Sequence, residues 1–555
     1  MDKRYDAIII GGGVNGCGVA RDLALRGAKI LLLDKGDLSK GTSWASSGMI
    51  HGGIRYLLSD VHTTHKSCKD SGYIQNIGKH MIFRIPLIMP KLKGSGLKGL
   101  INYEGANALF SFYDKFQPLK GGKPHVRLTA EEAKRLEPML SDKVEAAVST
   151  DEWGIDVPRL CVMNAVDAGL HGADIKTWTE VVSINKDSDE KNITGVTIRD
   201  TITCKKSTVN SSIVVNCAGP WVPKVAKMAG LEVKLRPAKG IHLILDRRIS
   251  NMGIIVEAID GRSIFIIPHE NISIIGTTDD DYYGDLDNIR VSEDEIEYCL
   301  QAIESVLPDI RKARIIKTIA GLRPTLYETS KYEDDLTRDH SLIDHQHEGL
   351  TGFITLAGGK LAAYRVMAEE TADLVCKKIP LMTKCTTHTA MLPGGEEVPN
   401  ATELAKQYGV DAYAISRMIS RQGQRSIEIL EMIKEDPALG LYICQCEPTT
   451  EAEIRYVIRN EHVRRATDLI SRCRIAEGPC QGLGCIAQTA IIFGDELDLG
   501  PEKVMQEASL LLQDKWHWRR DSISDLQMAQ EELYRMIYQA TFNPSQYNTN
   551  TQEVF

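Results

Sequence analysis

Tyr5-Asp6-Ala7-Ile8-Ile9-Ile10-Gly11-Gly12-Gly13-Val14-Asn15-Gly16 is the stretch that decides the fold of this 555-residue chain. Its first half is a short apolar strand. Its second half is a GxGxxG loop, and helical spacing then runs from about Gly13 to Arg26, followed by a second strand, Lys29 to Asp34. Strand, glycine loop, helix and strand in that order make a βαβ unit. Gly11 allows the tight turn, Gly13 lets the backbone approach a pyrophosphate, and Gly16 lets helix and strand pack closely. The helix start points its N–H groups and positive dipole end at the phosphates. Asp34 closes the second strand where a carboxylate accepts hydrogen bonds from the adenosine ribose. The loop's place at the extreme N-terminus, and a late Ala357-Gly358-Gly359-Lys360 turn, favour FAD over NAD.

Working outward, Ser212 to Gly219 reads as a buried strand of the same domain, and Gly352 to Gly359 as another, followed by a helix through about Val375. Shorter strands between them, such as Ser263 to Pro268 and Ile272 to Thr277, read as an inserted substrate domain. The expected class is α/β. A Rossmann-like FAD-binding domain carries an inserted antiparallel-sheet substrate domain, then a small helical domain and a helical tail. The oxidoreductase domain is expected over 1–380, with its cofactor-binding part at about 1–75, 160–230 and 345–380. A helical linker region follows over 381–440, with Pro393 to Glu397 as a linker, then a cysteine-bearing domain over 441–495 and a tail over 496–555.

The net charge of -9 offers no basic footprint for nucleic acid. No run approaches the roughly 18 apolar residues of a spanning helix, and the apolar stretch Ala7 to Ile10 is too short for a signal-peptide core. A cytoplasmic protein is expected, with membrane contact, at the inner face, only through a partner.

Gly41 to Tyr56 is dense in glycine and small polar residues and ends in His51, Arg55 and Tyr56. Such a loop lets backbone approach a ring system. Arg323, Arg338 and Lys360 stand at glycine turns or beside acidic residues elsewhere in the chain. Each reads alone as an ordinary surface cation; together they read as an anion pocket, because the planar fork of arginine suits phosphate.

Cys444-Gln445-Cys446 and Cys480-Gln481-Gly482-Leu483-Gly484-Cys485 are two close pairs beside turns. Four thiolates so placed suit an iron–sulfur cluster; zinc accepts the same donors and competes for this reading. Cys473 lies between the pairs, flanked by Arg472 and Arg474 and away from any glycine turn, and reads as a spare thiol.

The loop ending HGGIRY, the AGPWV after the third strand, IIGTTDDDYYGD, GLRPT, TRDH and GGKLAAYR resemble FAD-dependent glycerol-3-phosphate dehydrogenase, of the D-amino-acid-oxidase-like flavoproteins. The cysteine unit resembles the [2Fe-2S] domain of bacterioferritin-associated ferredoxin, which narrows the likeness to the catalytic subunit of the anaerobic-type enzyme. The resemblance implies oxidation of sn-glycerol 3-phosphate to dihydroxyacetone phosphate, with electrons passing toward quinone. It implies two partners, a membrane-anchoring iron–sulfur subunit together with a second flavoprotein subunit. By position, Arg55, Tyr56, Arg323, Arg338 and Lys360 surround the substrate. Lys35, Thr42, Ser46, Ser47, His51, Ala218, Gly219 and the Gly358-Gly359-Lys360-Leu361 turn join Gly11, Gly13, Gly16 and Asp34 around FAD. Cys444, Cys446, Cys480 and Cys485 hold the cluster. His51, Arg55, Arg323 and Lys360 are the catalytic candidates, with His51 or Lys360 as the base for the hydroxyl proton. The alternative readings are a 2-hydroxy-acid or amino-acid dehydrogenase of the same fold, and a non-catalytic electron-transfer subunit.

Overall fold

The computed structural model describes residues 4–54, 57, 61–94, 96–327 and 340–542. Ala7–Ile10 and Ile30–Leu33 are fully buried strands that pair in parallel around the Val14–Leu25 helix, as continuous Ile and Leu runs require. They lie within a six-stranded sheet. In spatial order its strands are His340–Asp344, Phe353–Gly358, Val214–Asn216, Ala7–Ile10, Ile30–Leu33 and Asp174–Lys176. All neighbours are parallel except the first pair. The Val14–Leu25 helix packs on the Val157–Leu170 and Tyr364–Cys376 helices. Gly18 makes that close approach possible, since a Cβ there would stand 3.1 Å from Ala368 and Tyr364.

The inserted part is a mostly antiparallel nine-stranded sheet, with one parallel pairing between Gly253–Glu257 and Ile82–Leu92. The long Ile315–Leu326 strand pairs with Leu235–Leu245 and carries Arg323. The α/β class with mixed sheets and a helical C-terminal domain is therefore as expected from the sequence.

Residues 401–542 are mainly helical, around a core that includes Ile415, Met418, Ile429, Val457, Leu469, Ile470 and Phe493. This unit is docked through buried ion pairs. Arg472 grips Asp37 with two bonds, at 2.5 and 2.8 Å, and both side chains are fully buried. Ser471 adds a hydroxyl bond to the same carboxylate. Arg159 bonds Glu461 at 2.6 Å, and Arg425 reaches it too. Burial pushes the Glu461 carboxyl up, but Arg159 and Arg425 outweigh it and hold it at about 2. Pro393, Gly394 and Gly395, expected as a linker, are buried; a Cβ at Gly394 would strike the Gln422 carbonyl. Among the described residues no helix is long and apolar enough to cross a membrane.

Asp37 lies three residues past Asp34, so one ion pair joins the dinucleotide loop to the cysteine unit. Asp37→Ala leaves the Arg472 guanidinium buried and unpaired. The expected loss is about 3–5 kcal/mol of stability, the cost of breaking a buried pair from one side. It is read as a lower urea midpoint by circular dichroism; a loss below about 1 kcal/mol would show the pair to be solvated like a surface bridge.

Candidate active site and cysteine centre

The carboxyl ends of three parallel strands set the site. Ile10, Asn216 and Thr355 stand in register, so Gly11, the Ala218–Gly219 turn and the Gly358–Lys360 turn emerge from one sheet edge. In open α/β sheets that edge is where ligands bind. Gly11 has φ +110, and a Cβ on it would strike the Cys217 carbonyl at 2.5 Å; one on Gly16 would fall 1.8 Å from the Gly11 carbonyl. Gly13 is the helix N-cap and supplies no side-chain cap; the Val14 amide donates to Ser43 Oγ at 3.0 Å. Asp34 accepts from the amides of Gly12, at 2.6 Å, and Gly36, at 2.8 Å, which fixes its carboxylate beside the loop.

The residues fit a dinucleotide. The glycines are demanded by close backbone approach, and the helix start is open to an anion. Ser39 adds an observation that the motif does not reveal. Its amide bonds the Gly12 carbonyl, its φ is +65, and its buried hydroxyl has no hydrogen-bond partner among the described residues. A protein rarely leaves such a group unsatisfied, so it marks a place for a ligand.

The Lys35 ammonium pairs with Asp287 and sits 4.2 Å from the ring centre of Trp221, which ends the turn begun by Gly219. The Thr42 hydroxyl is taken by the Leu322 carbonyl at 2.5 Å, and Ser46 Oγ accepts from the Gly48 amide. Thr42 therefore ties the loop to the Arg323 strand, as does Ala45, whose methyl would be 2.5 Å from a Cβ on Gly321. This crossing brings the His51 loop over the strand that holds Arg323.

Arg323 donates to Asp279 Oδ1 at 2.9 Å and to Thr277 Oγ1 at 3.1 Å, and lies across Gly240, where a Cβ would strike its Nη2 at 2.5 Å. Thr277 and Asp279 are thus part of the site, as the supports that aim the guanidinium. Lys360 follows two glycines of positive φ, and a Cβ on Gly359 would collide with Met367 at 2.2 Å. Leu361 opens the 3-10 turn leading into the Tyr364–Cys376 helix. His51 Nδ1 accepts from the Gly53 amide at 3.0 Å. Arg55, Tyr56 and Arg338 lie outside the described residues.

The second centre is built from the two cysteine pairs. Cys444 lies beside Cys485, and Cys446 beside Cys480. The amides of Glu447 and Ala476 approach the Cys444 sulfur, that of Ala476 the Cys485 sulfur, and that of Cys480 the Cys446 sulfur. The intervening loop holds Arg474, Ala476 and Gln481 at φ between 51 and 62, a concentration of left-handed non-glycine residues typical of functional loops. Cys473 stands apart, fully buried, its thiol on the Leu469 carbonyl. Among the described residues, no group of three or more His, Cys, Asp or Glu is arranged to hold a metal ion.

Comparison with known proteins adds three findings. Residues 6–365 match a family described as FAD dependent oxidoreductase, and residues 385–504 one described as the C-terminal domain of alpha-glycerophosphate oxidase. The chain is 31% identical to a subunit of the anaerobic glycerol-3-phosphate dehydrogenase of Haloferax volcanii, over 98% of this chain and 91% of that one. It is 30% identical to a subunit of the anaerobic glycerol-3-phosphate dehydrogenase of Escherichia coli K12, over 96% of each. The fold is similar to that of glycerol-3-phosphate dehydrogenase from Bacillus halodurans complexed with FAD, with a TM-score of 0.72 at 23% identity, covering 94% of this chain and 97% of that one.

Proposed function

The chain belongs to the FAD-dependent glycerol-3-phosphate dehydrogenases, and from that premise we propose that it oxidises sn-glycerol 3-phosphate to dihydroxyacetone phosphate and passes the electrons through a [2Fe-2S] cluster toward a quinone-linked acceptor. The observation that carries this reading is the crossing of the Thr42–His51 loop over the Arg323 strand at the edge where the Lys360 turn emerges. Gly11, Gly13, Gly16, Asp34, Ser39 and the Ala218–Gly219 turn would hold FAD, which supplies the hydride acceptor.

Arg323 binds the phosphate, held in place by Asp279 and Thr277. His51, or Lys360 as its free amine, takes the hydroxyl proton. Arg55, Tyr56 and Arg338 complete the anion pocket by family position.

The two close pairs in sequence, Cys444 with Cys446 and Cys480 with Cys485, support a two-iron cluster held by four thiolates over a single zinc ion. The amides that approach the sulfurs tune such a cluster. Cys444, Cys446, Cys480 and Cys485 would hold it, and it supplies one-electron acceptance. Both anaerobic relatives are named as single subunits of an enzyme. Those names support further subunits here; we propose, from the resemblance, a membrane-anchoring iron–sulfur subunit and a further flavoprotein subunit.

The test is anaerobic mixing of the holoprotein with glycerol 3-phosphate while the flavin spectrum is recorded. Bleaching is expected; an unbleached flavin removes the reading. In the same assay, Arg323→Ala should keep its FAD and raise KM about ten- to a hundredfold, from losing a charged hydrogen-bond partner worth roughly 1.5–3 kcal/mol. Turnover of glycerol, which has no phosphate, should fall much less. Equal proportional losses on both substrates would instead place Arg323 at the reacting hydroxyl.

A further inference from the structure

We propose that Glu370 is a positioning residue of the substrate site, a carboxylate that ties the helix after the Lys360 turn to the strand opened by His340 and to the Val61–Ile77 helix; the proposal rests on the glycerol 3-phosphate reading above. Glu370 lies on the Tyr364–Cys376 helix, which the Lys360 turn leads into. Its Oε2 is 2.6 Å from His340 Nε2, and its Oε1 accepts from Lys66 Nζ at 2.5 Å. His340 opens the strand that follows Arg338 in sequence, and pairs in register with Gly358. Lys66 lies on the Val61–Ile77 helix, which follows the His51 loop. One side chain therefore joins the Val61–Ile77 helix, the strand opened by His340 and the helix that follows the Lys360 turn.

The turn itself is wedged by the same parts. A Cβ on Gly359 would meet Met367 on one side and His340 Cβ, at 3.3 Å, on the other. His62, Thr63, Lys66, His340 and Lys360 line one cleft, so both partners of Glu370 border the space that Lys360 faces. The His340 bond comes first among the causes that hold the Glu370 carboxyl at about 2, so it is a full acceptor near neutrality.

An ordinary partly exposed bridge contributes little to stability, and this one is partly exposed: Lys66 and Glu370 keep 31% and 39% of their side-chain surface. Its effect should fall on placement, where a displacement of about 1 Å can cost up to a hundredfold in rate. Stability and kcat/KM should therefore separate.

Wild-type holoprotein, Glu370→Gln, Glu370→Asp, His340→Gln and the Glu370→Gln/His340→Gln double variant are compared for FAD content, thermal midpoint, KM and kcat with glycerol 3-phosphate. Glu370→Gln should keep its FAD and midpoint while kcat/KM falls about tenfold or more. Glu370→Asp should recover part of the loss, and the double variant should lose less than the two single losses combined, because both remove the shared link. An unchanged kcat/KM, additive losses, or a loss accompanied by missing FAD or a lowered midpoint overturns the positioning role. Wild-type protein that does not turn over glycerol 3-phosphate is a separate result, which removes the underlying reading and the proposal with it.

Discussion

A chain carrying Gly13→Asp should fold and purify without FAD. The backbone permits the change: Gly13 is extended, at φ -75 and ψ 179, a conformation any residue adopts. A Cβ there meets only the Ser43 hydroxyl, at 3.2 Å, which now accepts from the Val14 amide. Turning that hydroxyl aside gives up one bond at the helix start. Aspartate is a favoured N-cap, and its charge suits the positive end of the Val14–Leu25 helix, which offsets the loss. What is lost is the anion site, since the new carboxylate competes for the same amides and repels the pyrophosphate. One pair of like charges about 4 Å apart costs roughly 4 kcal/mol at an effective dielectric near 20, and that is about a thousandfold in affinity. Circular dichroism and the thermal midpoint report the fold, and flavin absorbance reports the cofactor. Full flavin content in a folded variant would mean that the dinucleotide lies elsewhere. Gly16→Ala is the instructive contrast: its methyl would fall 1.8 Å from the Gly11 carbonyl, so the turn itself should fail, and flavin loss would come with loss of structure.

The difference between those two glycines also shows what could be read before any coordinates. The strand, loop and helix around Gly11 to Gly16 were legible because period, turn chemistry and helix start all point the same way. The late Gly358-Gly359-Lys360 turn was legible for the same reason, as a buried run ending in residues that only a positive φ explains. Ser39 was not. Its role depends on a left-handed backbone and a buried hydroxyl, and neither leaves a periodic trace. Asp37 and Arg472 are 435 residues apart, and pairing of that kind is invisible to local patterns. The Pro393–Gly395 segment misleads in the other direction. Its composition reads as a linker, yet its small residues are there because the Gln422 and Ile77 backbones pass too close for side chains. Catalytic roles are harder still: His51 stands out by type and position, but its contact with the Gly53 amide comes from the fold and leaves no trace in a local pattern.

Replacing Cys480 by Ser should separate the two halves of the proposed electron path. Cys480 is half-buried in a loop whose Leu483 is 48% exposed, so a hydroxyl there does not strain the core. Its amide still reaches the Cys446 sulfur, and Tyr538 still bonds the Leu483 carbonyl. The loop should keep its shape and lose one thiolate. A two-iron centre with one ligand missing should not assemble, so iron content and the paramagnetic signal after reduction should both disappear. Flavin reduction by glycerol 3-phosphate should stay nearly normal in stopped flow, because the flavin site draws no residue from this loop. Turnover with the physiological acceptor should collapse, while a small dye that meets the flavin directly is still reduced. Cys473→Ser is the control: its hydroxyl can donate to the Leu469 carbonyl, as the thiol does, and iron should remain. Zinc without iron in anaerobically prepared protein would overturn the cluster. Full acceptor turnover in an iron-free Cys480→Ser chain would reduce the centre to a structural role. A collapse of dye reduction as well would mean that the buried Asp37–Arg472 contact transmits damage from the cysteine unit to the flavin loop, and that the two centres are one cooperative unit rather than stations on a path.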